Sequence, residues 1–188
     1  MRVISGQARG LKLKAPEGLE TRPTTDRIKE SLFNIMAPDL YGCVFLDLFS
    51  GSGGIGIEAL SRGAEKVVFV DSSPKSIAVI KDNLSRARLE DKAQVICDDV
   101  IFTIKSLAAK GVTFDIIYLD PPYGHGLAEA SIEAIARAGL LKENGYIAAE
   151  QATTEPPLVS SSLDVLRVKD YKRTTKITFL GYANENNS

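Results

Sequence analysis

Apolar positions along the chain follow two alternating rhythms. Short, mostly apolar runs at 44–48, 66–70, 93–97 and 114–119 lack helical spacing and predict strands, the one at 114–119 buried. Between them apolar residues recur at three- and four-residue steps. That spacing predicts helices over 55–62, 74–88 (Ile77, Ile80, Leu84), 100–110 (Ile101, Ile104, Leu107) and 127–138. Further strands are predicted at 146–150, 163–168 and 177–182, and an earlier helix ends near Met36. Val3-Ile4 and Leu11-Lys12-Leu13, on either side of Ser5-Gly6-Gln7-Ala8-Arg9-Gly10, predict an N-terminal hairpin. Residues 152–162, rich in Thr, Pro and Ser, read as a loop, and 184–188 as a disordered tail. Alternating strands and helices predict an α/β fold: a seven-stranded, mostly parallel sheet with helices on both faces, plus the hairpin and helix as an N-terminal extension. In such a sheet ligands bind outside the carboxyl ends of the strands.

The first strand runs into Phe49-Ser50-Gly51-Ser52-Gly53-Gly54, a glycine-rich turn opening a helix, and the second ends at Asp71, about 20 residues on. Gly51, Gly53 and Gly56 satisfy the dinucleotide spacing, so a nicotinamide cofactor is one reading. Asp47 argues against it. A carboxylate beside the loop repels a pyrophosphate, whereas S-adenosylmethionine has no phosphate and carries a cationic sulfonium and an amino group. Asp47 is then a candidate for the methionyl end, and Asp71 for the ribose hydroxyls. The plainer alternative for Asp47 is a cap on loop amides.

The fourth strand runs into Asp120-Pro121-Pro122-Tyr123. Two prolines remove two backbone donors and fix φ, leaving a stiff turn with carbonyls free of helix or ladder. Asp120 and the Pro121 carbonyl offer acceptors for the two hydrogens of an exocyclic amine, and Tyr123 offers a face for a flipped-out base. The bland reading is an ordinary strand-to-loop turn.

Residues 1–30 hold seven Lys or Arg against four acids, although the whole chain carries only −1. This end is the candidate nucleic-acid face, with Arg9, Lys12 and Lys14 as phosphate contacts; a hairpin edge blunted by charge is the alternative. A second cluster, Arg167, Lys169, Lys172, Arg173 and Lys176, spans the last strand pair and reads as a solvated turn. With 188 residues, one domain is expected (extension 1–36, core 37–183). No apolar run approaches the ~18 residues of a membrane span, and residues 1–13 lack a secretory signal's apolar core, which points to the cytoplasm. Cys43 and Cys97, the only cysteines, read as small core fillers, and with His125 the sole histidine no metal site is expected.

Together Asp47-Leu-Phe-Ser-Gly-Ser-Gly53, Asp71 and the 120–123 turn resemble the class I, Rossmann-like methyltransferases that modify exocyclic amines. Residues 1–13, the block Arg22-Pro-Thr-Thr-Asp-Arg-Ile-Lys-Glu-Ser-Leu-Phe-Asn34 and Glu58-Ala-Leu-Ser-Arg-Gly-Ala64 sharpen this to a resemblance to the RsmD family of bacterial 16S ribosomal RNA guanine-N2 methyltransferases. The resemblance implies S-adenosylmethionine as cofactor and 16S ribosomal RNA, in an assembled or assembling small subunit, as partner. It implies a cofactor site built from Asp47, Phe49, Ser50, Gly51, Ser52, Gly53, Asp71, Ser72 and the 98–100 turn, with Asp99 favoured over Asp98 at the adenine amine beside Val100. Thr24 and Thr25, with Arg22 and Arg27, would lie over the entrance; alternatively Thr25 or Asp26 is an N-cap, with Lys29 and Glu30 on the helix's exposed side. Ser50, where similar sequences often carry Ala, is expected to leave the loop unchanged. Other readings stay open. A DNA adenine-N6 enzyme would need a recognition insertion for which there is little room, and a glutamine methyltransferase more usually has Asn at position 120. A noncatalytic RNA-binding module would consume no cofactor.

Overall fold

The computed structural model describes residues 1–16, 26–171 and 175–183. Arg22, Thr24 and Thr25, Lys172 and Arg173, and the tail 184–188 lie outside the described residues. The elements are α1 (Asp26–Leu40), β1 (Val44–Leu48), α2 (Gly54–Ser61), β2 (Lys66–Asp71), α3 (Pro74–Ala87), a 3-10 turn (Glu90–Lys92) and β3 (Ala93–Cys97). They continue with α4 (Val100–Ala109), β4 (Phe114–Leu119), α5 (Leu127–Ala138), β5 (Leu141–Ala152), β6 (Asp164–Tyr171) and β7 (Thr175–Gly181). The architecture is α/β with a seven-stranded, mostly parallel sheet. The chain divides into two compact units, Met1–Val100 and Ile101–Ser188.

In the first unit β2 lies between β1 and β3, parallel to both, with Asp47 opposite Phe69 and Asp71 opposite Cys97. Phe45, Leu46, Leu48 and the 67–70 run are buried throughout, the unbroken apolar signature of parallel strands covered on both faces. Each fully buried Phe or Leu contributes roughly 1.5–3 kcal/mol relative to an exposed one. The short helix α2 is buried along its whole length. At Gly56 a Cβ would come 2.3 Å from the Phe69 ring, so only glycine lets this helix lie so close to β2. Pro74 starts α3 behind the Ser73 cap, where a missing N–H costs nothing, and Ile77, Ile80 and Leu84 form its buried stripe.

In the second unit β4 and β5 are parallel, and β7 runs antiparallel to β5 and to β6. Helix α5 is bounded by Gly126 and Gly139, both left-handed.

Several expectations need correction. The hairpin is reduced to a single antiparallel bridge, Arg2 to Lys12, supported by loop hydrogen bonds rather than a ladder. Helix α1 continues to Leu40 through Pro38; in the last turn a proline forfeits only one helical hydrogen bond. Strand β5 begins at Leu141, because the polar stretch that reads as a turn continues past a register shift with Lys142 paired to Asp115 at 2.8 Å. Strands β6 and β7 begin and end one to three residues from their predicted limits. Cys43 is buried, but Cys97 is exposed and fills no core. Lys29, expected on an exposed face, is fully buried.

Candidate active site

The glycine-rich turn of the first unit is held open by backbone conformation. Phe49, Gly51 and Gly53 all have φ between 55° and 77°. For Phe49, a residue with a Cβ, that conformation costs on the order of 1–3 kcal/mol, and such strain tends to collect at ligand sites. The turn is tied to both strand ends. Ser50 N donates to the Val70 carbonyl (3.0 Å), while its hydroxyl donates to the Asp47 carbonyl (2.6 Å) and accepts from Val70 N (3.0 Å). These hydroxyl bonds, which an alanine could not make, tie the loop to β1 and β2. Gly51 N donates to Asp71 Oδ2 (2.8 Å), whose Oδ1 accepts from Ser73 N (2.9 Å). On the far side, Asn83 Nδ2 donates to the Ser52 carbonyl (3.0 Å).

Asp47 lies beneath this loop, 1 % exposed, its Oδ2 accepting from Gly56 N in the first turn of α2 (2.9 Å). That contact is a cap. Burial pushes its carboxyl up to about 7; the Gly56 amide opposes the rise and the Asp71 carboxylate adds to it. Next along the sheet the Asp71 carbonyl accepts from Asp98 N (3.2 Å), and Asp98 Oδ1 accepts from Asp99 N (2.8 Å) at the entry to α4. Asp98 and Asp99 are both exposed and Val100 is buried. Ser72, also exposed, places its carbonyl 3.9 Å from Cys97 Sγ.

In the second unit β4 ends at Leu119 and the chain turns through Asp120, half-buried, Pro121, buried, and Pro122, exposed. Tyr123 is 37 % exposed. Sequence reasoning missed what holds this turn. Glu155 Oε1 accepts from Gly124 N (2.9 Å) and Oε2 from Ala152 N (2.9 Å), while Lys176 Nζ donates to the Glu155 carbonyl (2.6 Å). With Leu158 buried, the 152–162 loop is therefore anchored. A lone acid in a Thr/Pro/Ser stretch gives no periodic signal by which to find it. A cavity of about 20 Å³, room for about one water, lies beside Pro121, Pro122 and Tyr123, with Glu150 and Gln151 in its wall. Tyr118 donates to Glu150 Oε2 at 2.5 Å, which keeps that buried carboxyl hydrogen-bonded.

The basic N-terminal segment is docked onto α2 and α3. Ile4 N and Ser5 N donate to the Glu58 carboxylate (2.7 and 3.0 Å), and Ser61 Oγ donates to the Ser5 carbonyl (2.6 Å). Arg9 and Lys12 are exposed, as is Arg27 at the start of α1. Lys14 is paired with Asp82 at 3.1 Å and Arg2 with Asp26 at 2.9 Å. Of the second cluster, Lys176 is turned inward to Glu155 and Lys169 lies 6.0 Å over the Tyr171 ring.

A family model described as "Conserved hypothetical protein 95" matches residues 1–180. YlbH of Bacillus subtilis strain 168 is 43 % identical, over 93 % of this chain and 95 % of that one. Ribosomal RNA small subunit methyltransferase D of Escherichia coli K12 is 37 % identical over 80 % of this chain and 71 % of its own. Among solved structures, yhhF of Escherichia coli superposes with a TM-score of 0.82 at 33 % identity, covering 98 % of this chain and 99 % of that chain. A match of this length with relatives of this identity makes the chain a member of the Conserved hypothetical protein 95 family, the family of the RsmD ribosomal RNA methyltransferases.

Proposed function

We propose that this chain transfers a methyl group from S-adenosylmethionine to the exocyclic N2 amine of a guanine in 16S ribosomal RNA. The observation that carries the reading is the turn after β4: a half-buried carboxylate, two prolines and a partly exposed tyrosine ring at a strand's carboxyl end. Family membership supports an rRNA methyltransferase, the chemistry of the turn supports an exocyclic amine as target, and the guanine N2 atom rests on the resemblance to the RsmD family.

The donor set of the first unit fits the cofactor. Asp71, Asp98 and Asp99 give the loop a carboxylate rim, which suits a cationic, phosphate-free ligand and opposes a pyrophosphate, with Asp47 buried beneath it. When bound, S-adenosylmethionine supplies an electrophilic methyl group. Asp71 takes the ribose hydroxyls with the lone pairs its two amide bonds leave over. The 49–53 turn borders the methionyl end, with Asp47 supporting it from below. Ser72, Asp99 and Val100 border the adenine, with Asp98 beside them accepting from the Asp99 amide.

A guanine amine is a poor nucleophile, its lone pair conjugated into the ring. Asp120 and the Pro121 carbonyl accept its two hydrogens, orient the lone pair and stabilise positive charge growing on nitrogen. Alkylation then releases one proton, and Asp120 is the acceptor on hand. Tyr123 stacks on the extruded base, while Arg9, Lys12, Lys14 and Arg27 meet phosphates. Arg22, Thr24 and Thr25 keep their proposed place at the entrance. The test is to supply labelled S-adenosylmethionine with naked 16S RNA, assembled small subunits, DNA or a release factor, and to map the modified atom. Label on guanine N2 of the RNA is expected; label on adenine N6 or on glutamine would overturn the assignment.

A further inference from the structure

We propose that Asn83 is a positioning residue through which RNA held by the N-terminal segment and cofactor held by the glycine-rich loop strengthen one another's binding. The inference rests on the functional reading above. Asn83 lies in α3, fully buried. Asparagine is a poor residue for a helix interior, because its side chain competes for backbone hydrogen bonds. Here that capacity is used on two other segments. Its Oδ1 accepts from Lys14 N (2.9 Å), and its Nδ2 donates to the Lys14 carbonyl (3.0 Å) and to the Ser52 carbonyl (3.0 Å).

One amide thus grips the backbone of the basic segment as a neighbouring strand would, and holds the cofactor loop with the same nitrogen. Two further contacts join the same partners. Met1 Sδ sits where a Cβ on Gly54 would stand, 2.1 Å from that position, and Met1's carbonyl accepts from Leu13 N (3.1 Å). Lys14 Nζ pairs with Asp82, the residue before Asn83. Lys12, a candidate phosphate contact, is two residues from the gripped backbone. Asp71 fixes the loop at Gly51 and Asn83 fixes it at Ser52, so ordering residues 12–14 removes freedom from the loop at its second tether. Such a coupling is reciprocal: each ligand tightens the other by the same factor.

The test is calorimetry of S-adenosylhomocysteine binding to the full chain, with and without a saturating 16S RNA fragment. Wild type should bind the nucleoside about five-fold or more tightly with RNA present, within the usual range of such couplings. Asn83→Ala should bring that ratio to one. A residue that only supports the fold would lower the melting temperature and leave the ratio intact, and that result overturns the proposal. Should Asn83→Ala not fold, amide exchange of wild type decides. RNA alone should slow exchange at Gly51 and Gly53, and the nucleoside alone should slow it at Lys14; no such cross-protection overturns the proposal. RNA methylated normally with an unchanged nucleoside affinity removes the coupling and leaves the functional reading standing. Absence of any RNA methylation removes the functional reading itself, and the proposal with it.

Discussion

Lys29 Nζ lies 3.2 Å from Glu58 Oε2, with both side chains wholly excluded from solvent. The Lys29 ammonium also donates to the Arg2 carbonyl, and Arg62 Nε reaches Glu58 Oε1 at 2.7 Å while its guanidinium lies 4.9 Å over the Phe33 ring. Burial pulls the Lys29 pKa down and the Glu58 charge opposes this. One glutamate therefore joins α1, α2 and the N-terminal segment. Glu58→Ala leaves a buried ammonium and two backbone amides unpaired, and should cost about 3–5 kcal/mol in urea unfolding. A loss below about 1 kcal/mol would show that water replaces the pair.

Asp120→Ala should lower the methyl-transfer rate by orders of magnitude and leave cofactor affinity within a few fold, because the carboxylate serves the amine rather than the cofactor. Single-turnover rates and calorimetry read the two quantities separately. Near-normal turnover would remove Asp120 from the mechanism.

Asp71→Ala should weaken S-adenosylmethionine binding by roughly 1–3 kcal/mol, because charge-assisted hydrogen bonds to the ribose disappear. The mutant also releases Gly51 N and Ser73 N, so the loop amides should exchange faster even without ligand. Unchanged affinity in a folded mutant would reject the ribose assignment.

Asp47 sets a pH dependence of known sign. An unfolded aspartate ionises near 3.8, whereas Asp47 keeps its proton up to about 7. Between those values the native state binds more protons than the unfolded one, so this group's contribution to stability falls as pH rises and levels off above about 7. Asp47→Asn, which keeps an acceptor for Gly56 N, should flatten that part of the curve in unfolding measured from pH 4 to 8. A slope that survives the substitution belongs to another group.

What the sequence discloses depends on what generates a pattern. β1 and β4 have their predicted limits because a buried parallel strand must be largely apolar on both faces; β3 keeps its limits too, although it is a half-exposed edge strand beside β2; and the loops at 49–53 and 120–123 are marked by Gly and Pro, which act locally. Lys29 departs from its expected exposure because helical spacing says which side a lysine is on, not that a glutamate from α2 awaits it there. Glu155 and Asn83 give no sequence signal for the same reason: their partners lie 31 and 69 residues away in Gly124 and Lys14. β5 reads short because Lys142 looks like a turn residue until Asp115 is seen opposite.

How a slightly acidic chain holds RNA is testable by salt. Arg9 and Lys12 are exposed on the docked N-terminal segment, while Lys14 shares its charge with Asp82. Neutralising all three should weaken RNA binding and flatten the dependence of log affinity on log salt by roughly 0.7–0.9 for each phosphate no longer neutralised. Because Lys14 is already paired, most of that change should come from Arg9 and Lys12, and Lys14→Gln alone should move the slope least. Tyr123→Ala should cost about 1–3 kcal/mol of stacking and leave the slope alone, since stacking on a base releases no counterions. Equal slopes for wild type and the triple mutant would make the segment a solvated edge and turn the search for the RNA face toward Arg167 and Lys169 on β6.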